Sequence, residues 1–238
     1  MPSSPSAANT ARCVGRLQTF LFDTTARFNA LGNSPVFSPA MRHVFGSGNI
    51  EGIQGDFYWN RAVSYQTPAN LEGMLEGVSI NLMAGNGPTG LQSGDLAGGS
   101  VVVSRGLLAF ALSAQKVHIN NGIDDPTSET TWQAGATYNF GIARVFGLYT
   151  QTNDRGLDVD SHIWSAGASA ALGPGIVQAQ FAYTTAKGPA VDRKHTTVSA
   201  AYLYPYDSVT DIYAVGMNDN VRGQTRGLSL AAGVRWRF

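Results

Sequence analysis

From Asp56 to the carboxyl end, apolar and polar residues take turns at period two, in short runs separated by Gly, Pro, Asn and Ser. Successive side chains of a β-strand face opposite sides, so this pattern predicts strands with one apolar and one polar face. The clearest run is the last, Leu228 to Phe238. Leu228, Leu230, Ala232, Val234, Trp236 and Phe238 share one face, and Ser229, Ala231, Gly233, Arg235 and Arg237 share the other. About ten residues is the length of a tilted strand crossing a bilayer. The two arginines exclude burial on both faces. Chain ends are normally frayed and solvated, whereas this one closes on an aromatic.

The same reading gives about eleven strands in all. They are Phe57–Thr67, Gly77–Ala84, Ser100–Ser104, Leu107–His118, Trp132–Phe140, Ala143–Thr152, Ile163–Leu172, Ile176–Thr185, Thr196–Tyr204, Asp211–Met217 and Gly227–Phe238. A tight turn is expected at Arg105-Gly106, and the glycine-rich stretch from Gly85 to Gly99 reads as a loop. In the first strand Arg61 falls among Trp59, Val63 and Tyr65, which places it at a water-facing end or at a register shift. Trp132, Tyr138 and Phe140 bracket small residues, as interfacial aromatic girdles do. Long polar connections (Asn120–Thr130, Asn153–Asp160, Ala186–His195, Asn218–Arg226) alternate with short ones (Gly141-Ile142, Gly173–Gly175, Pro205–Thr210). Outer-membrane barrels sort their loops in this way. No motif recurs at fixed period, which argues against a propeller.

Upstream, 17–55 shows no sustained alternation and reads as one long irregular loop with a short helical turn near Asp23–Leu31. Loops of this length inside a compact domain are usually functional or disordered. Residues 1–12, rich in Ser, Pro and Ala, read as a disordered start ahead of a single unit, 13–238.

Composition sharpens the picture. Only 13% of residues are charged and the formal net charge is zero, so no basic excess points to nucleic acid. A sheet with one face in lipid needs few charges. No stretch approaches the ~20 apolar residues of a membrane helix. The single cysteine, Cys13, excludes an intrachain disulfide and reads as incidental. The first residues lack the basic and apolar regions of a secretory signal.

Three segments and the terminal strand carry a family resemblance. The ending LSLAAGVRWRF resembles the last strand of Gram-negative outer-membrane barrels, and VTDIYAVGMN (Val209–Asn218) the penultimate strand of the general porins. NRAVSYQTP (Asn60–Pro68) is similar to the strand after their constriction loop, and VGRLQTFLFDTT (Val14–Thr25) to the segment entering it. The resemblance implies an all-β, transmembrane antiparallel barrel of the 16-strand porin type. About 11–12 C-terminal strands and the constriction loop are present here, and the earlier strands and signal peptide are missing. It also implies an outer-membrane homotrimer passing small hydrophilic solutes and ions by passive diffusion, without cofactor or catalysis. The pore-constriction candidates are Arg16, Asp23, Arg27, Arg42, Glu51 and Asp56. Val234, Trp236 and Phe238 would form the C-terminal assembly signal. A chain lacking early strands has open edges, and is expected to be neither exported nor inserted as written.

Catalytic chemistry is not marked. His43, His118, His162 and His195 are scattered in or beside predicted loops, without partners at metal-ligand spacing, and read as exposed. Ser161-His162 carries no sign of a nucleophile–base pair. Asp124, Asp125, Asp154, Asp158 and Asp160 read as solvated loop acids rather than a metal site. Two rival readings remain open: a smaller complete barrel of about 12 strands acting as enzyme or adhesin with its long loop outside, and a soluble β-sandwich binding module.

Overall fold

The computed structural model describes residues 11–46, 57–67, 76–86, 94–119 and 127–236. One strand, β1 (Ala11–Gln18), precedes two helices, α1 (Phe20–Arg27) and α2 (Pro39–Phe45). Eleven strands follow: β2 (Tyr58–Gln66), β3 (Val78–Asn86), β4 (Asp95–Arg105), β5 (Leu108–Ile119), β6 (Thr127–Asn139), β7 (Ala143–Asp154), β8 (Val159–Leu172), β9 (Gly175–Gly188), β10 (Val191–Pro205), β11 (Thr210–Val221) and β12 (Gly227–Trp236). All twelve form one antiparallel sheet whose spatial order is the order of the chain, with β1 and β12 at its edges. There is no second layer of strands among the described residues, which removes the sandwich.

The strands are inside out relative to a soluble sheet. Ser64, Asn81, Ser100, Ser113, Gln133 and Thr150 are buried on the concave side, while Leu82, Leu112, Trp132, Trp164, Leu230 and Trp236 are exposed on the other. Large apolar groups facing outward beside buried polar ones are the informative departure from ordinary burial. Hydrocarbon outside and water inside would produce this arrangement. On β12, Val234 and Trp236 are 65% and 71% exposed, as the alternation predicts. Phe238 lies outside the described residues.

Aromatics mark two levels on the convex face. Tyr149 lies between Trp132, which it meets edge-on, and Trp164, tilted against it, with ring centroids 5.1 and 4.3 Å away, and Tyr183 is the register partner of Trp164. Tyr138 and Phe140 meet at 4.6 Å near the other end of β6. Eight strand steps of about 3.4 Å separate Trp132 from Phe140; at a tilt of about 40° they leave about 20 Å of height, close to the apolar band of such barrels.

Several sequence expectations need correction. Both β9 and β10 continue through 186–195, leaving only residues 189–190 as a turn, and β7 and β8 shorten 153–160 to a turn at 155–158. Residues 95–99 belong to β4 rather than to a loop, and its hairpin to β5 turns at 106–107. Gly106, at φ 58°, supplies the left-handed conformation. The β1 strand begins at Ala11, inside the stretch expected to be disordered. Arg61 resolves as a register shift: Gly15 pairs with Ala62 but Leu17 pairs with Trp59, and Arg61 takes φ 50° in the bulge. The shift turns Trp59 inward, where it is 1% exposed, and leaves Val63 and Tyr65 outward. The expected shared face is thereby split.

Candidate functional site: the loop on the concave face

After β1, residues 19–46 fold back over the polar side of the sheet. Its first helix starts where Thr19 caps, accepting from the Phe22 amide at 3.2 Å. Asp23 lies in the first turn and Arg27 in the last, each matched to the helix dipole. Ser38 caps α2, with Pro39 at its first position. Between the helices, Asn29 organises the chain. Its amide donates to the carbonyls of Thr25 (2.5 Å) and Gly32 (2.8 Å), and its Oδ1 accepts from the Leu31 amide (3.0 Å) and Ser38 Oγ (3.1 Å). The short helical turn expected near Asp23–Leu31 is α1, which starts three residues earlier; α2, only seven residues long, lies in a Pro/Ser-rich stretch read as irregular.

Apolar packing and hydrogen bonds both seat the loop. The helix α1 lies on β4, β5 and β6, and α2 on β8, β9 and β10. Phe20 packs with Trp59, Met83, Leu96 and Val117, and Phe28 with Val102, Ala111 and Leu148. From α2, Met41, Val44 and Phe45 pack with Phe22 and Ile163. Gln133 Nε2 donates to Thr25 Oγ1 at 2.9 Å; the Ala30 amide donates to Gln180 Oε1 at 2.7 Å, and Gln178 Nε2 donates to the Ala30 carbonyl at 2.5 Å. Buried polar groups that find partners in this way hold a fixed geometry.

The expected constriction residues fall into separate places. Asp23 and Arg27 occupy one exposed side of α1, one turn apart, and line a polar cleft with Gln66, Ser79, Asn81 and Ser100. Partial desolvation against the wall pushes the Asp23 carboxyl up from the usual carboxylate range. Arg27 donates to Ser104 Oγ at 2.8 Å and borders a second cleft of about 220 Å³, shared with Arg144, Thr137 and Asn139. Arg16 sits on β1 opposite the β2 bulge, with its guanidinium 5.1 Å from the Tyr58 ring. Arg42 pairs with Asp219 of β11 at 2.9 Å. Glu51 and Asp56 lie outside the described residues, as do Asp124 and Asp125.

Two histidines overturn the exposed-loop reading. His43 is 0% and His195 is 2% exposed, and their rings stack with centroids 4.0 Å apart and planes 16° apart. Thr197 Oγ1 donates to Asp219 Oδ1, so it accepts from His43 Nε2 at 2.7 Å, and His43 Nδ1 then accepts from Thr184 Oγ1 at 2.6 Å. The network needs His43 neutral. Burial first, then His195 across the stack, lowers its pKa to about 3, against the opposing pull of Asp219. His195 Nε2 lies 2.6 Å from Asp219 Oδ1. His43, His195 and Asp219 bring one ligand atom each within 4.8 Å of one another, closer than the scattered sequence positions implied. Nitrogen lone pairs lie in the ring planes, however, and near-parallel stacked rings do not converge on one ion. Parity could have found His195, since Thr197 and Ser199 share its face, but that stretch read as loop.

The remaining candidates separate. Ser161 is buried on the concave side, whereas its neighbour His162 meets Tyr149 Oη at 2.7 Å on the opposite face, so they form no nucleophile–base pair. Asp154 caps its own turn by accepting from the Gly156 amide at 2.8 Å, and Asp160 accepts from Asn153 at 2.8 Å. Arg144 and Asp219 were missed as site residues, although inward parity on β7 and β11 marks both.

Known proteins share this architecture. A family model described as Gram-negative porin matches residues 14–224. Outer membrane porin protein 32 of Delftia acidovorans is 32% identical over 120 residues, which is 49% of this chain but only 33% of that protein. The anion-selective porin from Comamonas acidovorans superposes with a TM-score of 0.76 at 20% identity, over 95% of this chain and 74% of that one. The in-vitro folded OmpT of Vibrio cholerae, in its trimer form, gives 0.67 at 14%, over 94% and 76%. Sheet order, inverted polarity, an inward-folded loop and the family match converge: the chain belongs to the Gram-negative porin family, non-enzymatic proteins of the bacterial outer membrane.

Proposed function

We propose that the chain forms the wall and constriction loop of a water-filled channel through which small hydrophilic solutes and ions diffuse passively. The observation that carries this reading is the seat of residues 19–46, packed on the polar concave face while the convex face presents apolar side chains. A loop held inside a polar-lined sheet narrows whatever lumen that sheet encloses. A loop outside the sheet would have favoured the enzyme or adhesin reading. The unit is 13–238 with its loop at 17–55, and the assembled protein is a homotrimer, as one similar porin is in its trimer form. The convex band meets outer-membrane lipid. Val234, Trp236 and Phe238 serve as the assembly signal, two of them on that lipid-facing side.

Asp23 and Arg27 are the loop charges facing the pore, with Arg16, Arg42, Glu51 and Asp56 as further members of the constriction. Among the described residues no carboxylate lines the cleft shared by Arg27 and Arg144, which favours anions there. An ion about 7 Å from one guanidinium in a water-like medium gains about 0.6 kcal/mol, a two- to threefold change in local concentration. Planar-bilayer recording across a salt gradient is the test. The protein is expected to conduct, and Arg27→Ala and Arg144→Ala are each expected to move the reversal potential toward cations by a two- to threefold permeability ratio. Absence of conductance from correctly folded protein refutes the channel; unchanged reversal potentials in both variants refute the anion preference.

A further inference from the structure

The two charges on the exposed side of α1 are placed to attract each other and do something else. Asp23 and Arg27 are four residues apart with the acid first, the order in which a helical ion pair forms best. Among the described residues they make no ion pair with each other; Arg27 Nη2 donates instead to Ser104 Oγ of β4, at 2.8 Å. Both side chains border one cleft of about 220 Å³ between α1 and strands β2 to β4. Across from them the wall presents neutral groups already held in place. Ser79 Oγ donates to Asn81 Oδ1 at 3.0 Å, and Asn81 Nδ2 donates to Ser100 Oγ at 3.0 Å. Phe20, Phe28 and Val102 add apolar surface. In its other cleft Arg27 is joined by Arg144; in this one it is joined by Asp23.

That combination sorts solutes by charge pattern. A simple anion gains from Arg27 and loses to Asp23, and a simple cation does the opposite. A solute carrying both charges close together gains from both. With contacts at about 4 Å, cross terms at about 7 Å and a water-like medium, a singly charged solute is enriched about twofold and the doubly charged one about fivefold. Water-like screening is the weakest case. Burial already raises the Asp23 carboxyl, so an ammonium beside it also offsets solvation that the carboxylate has lost. A volume of about 220 Å³ is below the range of drug-sized pockets and suits one small molecule.

We propose that the Asp23–Arg27 cleft binds small amino-acid zwitterions, with the ammonium on the Asp23 carboxylate, the carboxylate on the Arg27 guanidinium, and the carbon between them against Phe20, Phe28 and Val102. As a preference of the pore, this deepens the channel reading and rests on it; as binding, it needs only the cleft.

Glycine and glycolamide separate charge from size, because the second is the uncharged isomer of the first. Binding of each is followed by saturation-transfer NMR on the full chain folded in detergent at pH 7.5, beside conductance in planar bilayers. Glycine is expected to bind at least about fivefold more tightly than glycolamide, and at least about twofold more tightly than acetate or methylammonium. Asp23→Asn and Arg27→Gln are each expected to lower the preference for glycine over glycolamide at least about twofold, and the double variant to remove it. Both positions are exposed, so these variants are expected to fold. Equal affinities for glycine and glycolamide in the parent protein overturn the site, and so does a glycine preference that survives the double substitution. A glycine preference without conductance leaves the site standing and refutes the pore; conductance without a glycine preference does the reverse.

Discussion

Gln180 carries more of the loop's position than its size implies. It accepts from the Ala30 amide and donates to Ser165 Oγ at 2.5 Å, all three groups being buried. Gln180→Ala orphans a buried N–H, a loss of about 1–3 kcal/mol. The expected result is a lower urea midpoint in detergent and noisier open-channel current, both absent from a surface control such as Asn220→Ala. The inward face of Gln180 was legible from alternation alone, since Gln178 and Gln180 oppose Val177, Ala179 and Phe181. Its partner was not. That Ala30 would sit across from β9 depends on how 28–38 bends around Asn29, and an Asn-centred turn of this kind has no distinctive spacing. The histidines failed for a related reason: His43 belongs to a seven-residue helix that exists because wall residues bury nearly all of it.

Among the elements, β6 sets how closely α1 can approach. A Cβ on Gly135 would stand 2.7 Å from Phe28 Cγ, closer than real side chains approach. Gly135→Ala should therefore lift the end of α1 and cost about 1–3 kcal/mol in overpacking. The check is a changed single-channel conductance together with a lower unfolding midpoint, while Gly147→Ala, which meets nothing within 4 Å, changes neither. Strands such as β6 and β8 were readable in their middle portions because lipid faces one side and polar groups the other. Beyond the apolar band both sides are wet and alternation has no cause. This is why Lys187, Asp192 and Lys194, exposed on the β9–β10 hairpin, read as loop although the ladder runs through them. The apparent sorting of loop lengths was largely a sorting of strand ends.

For the whole molecule, inverted polarity makes a depth-dependent prediction. Ala168, midway along the exposed side of β8 between Trp164 and Leu172, faces the centre of the proposed band. Ala168→Arg should cost about 2–4 kcal/mol of folding in lipid vesicles, against about 0–1 kcal/mol for Leu172→Arg at the rim. Equal costs would mean that this face does not meet hydrocarbon. The two edges, β1 and β12, add a constraint of their own, because unpaired backbone groups are intolerable in lipid. Each edge must find a neighbouring strand before the wall is complete. Chain order equal to spatial order makes that demand simple to meet. Since each interior strand bonds only to the ones just before and after it, whole hairpins can be gained or lost at either end without rewiring the rest. The circumference is then a matter of how many repeats of one local move the gene encodes.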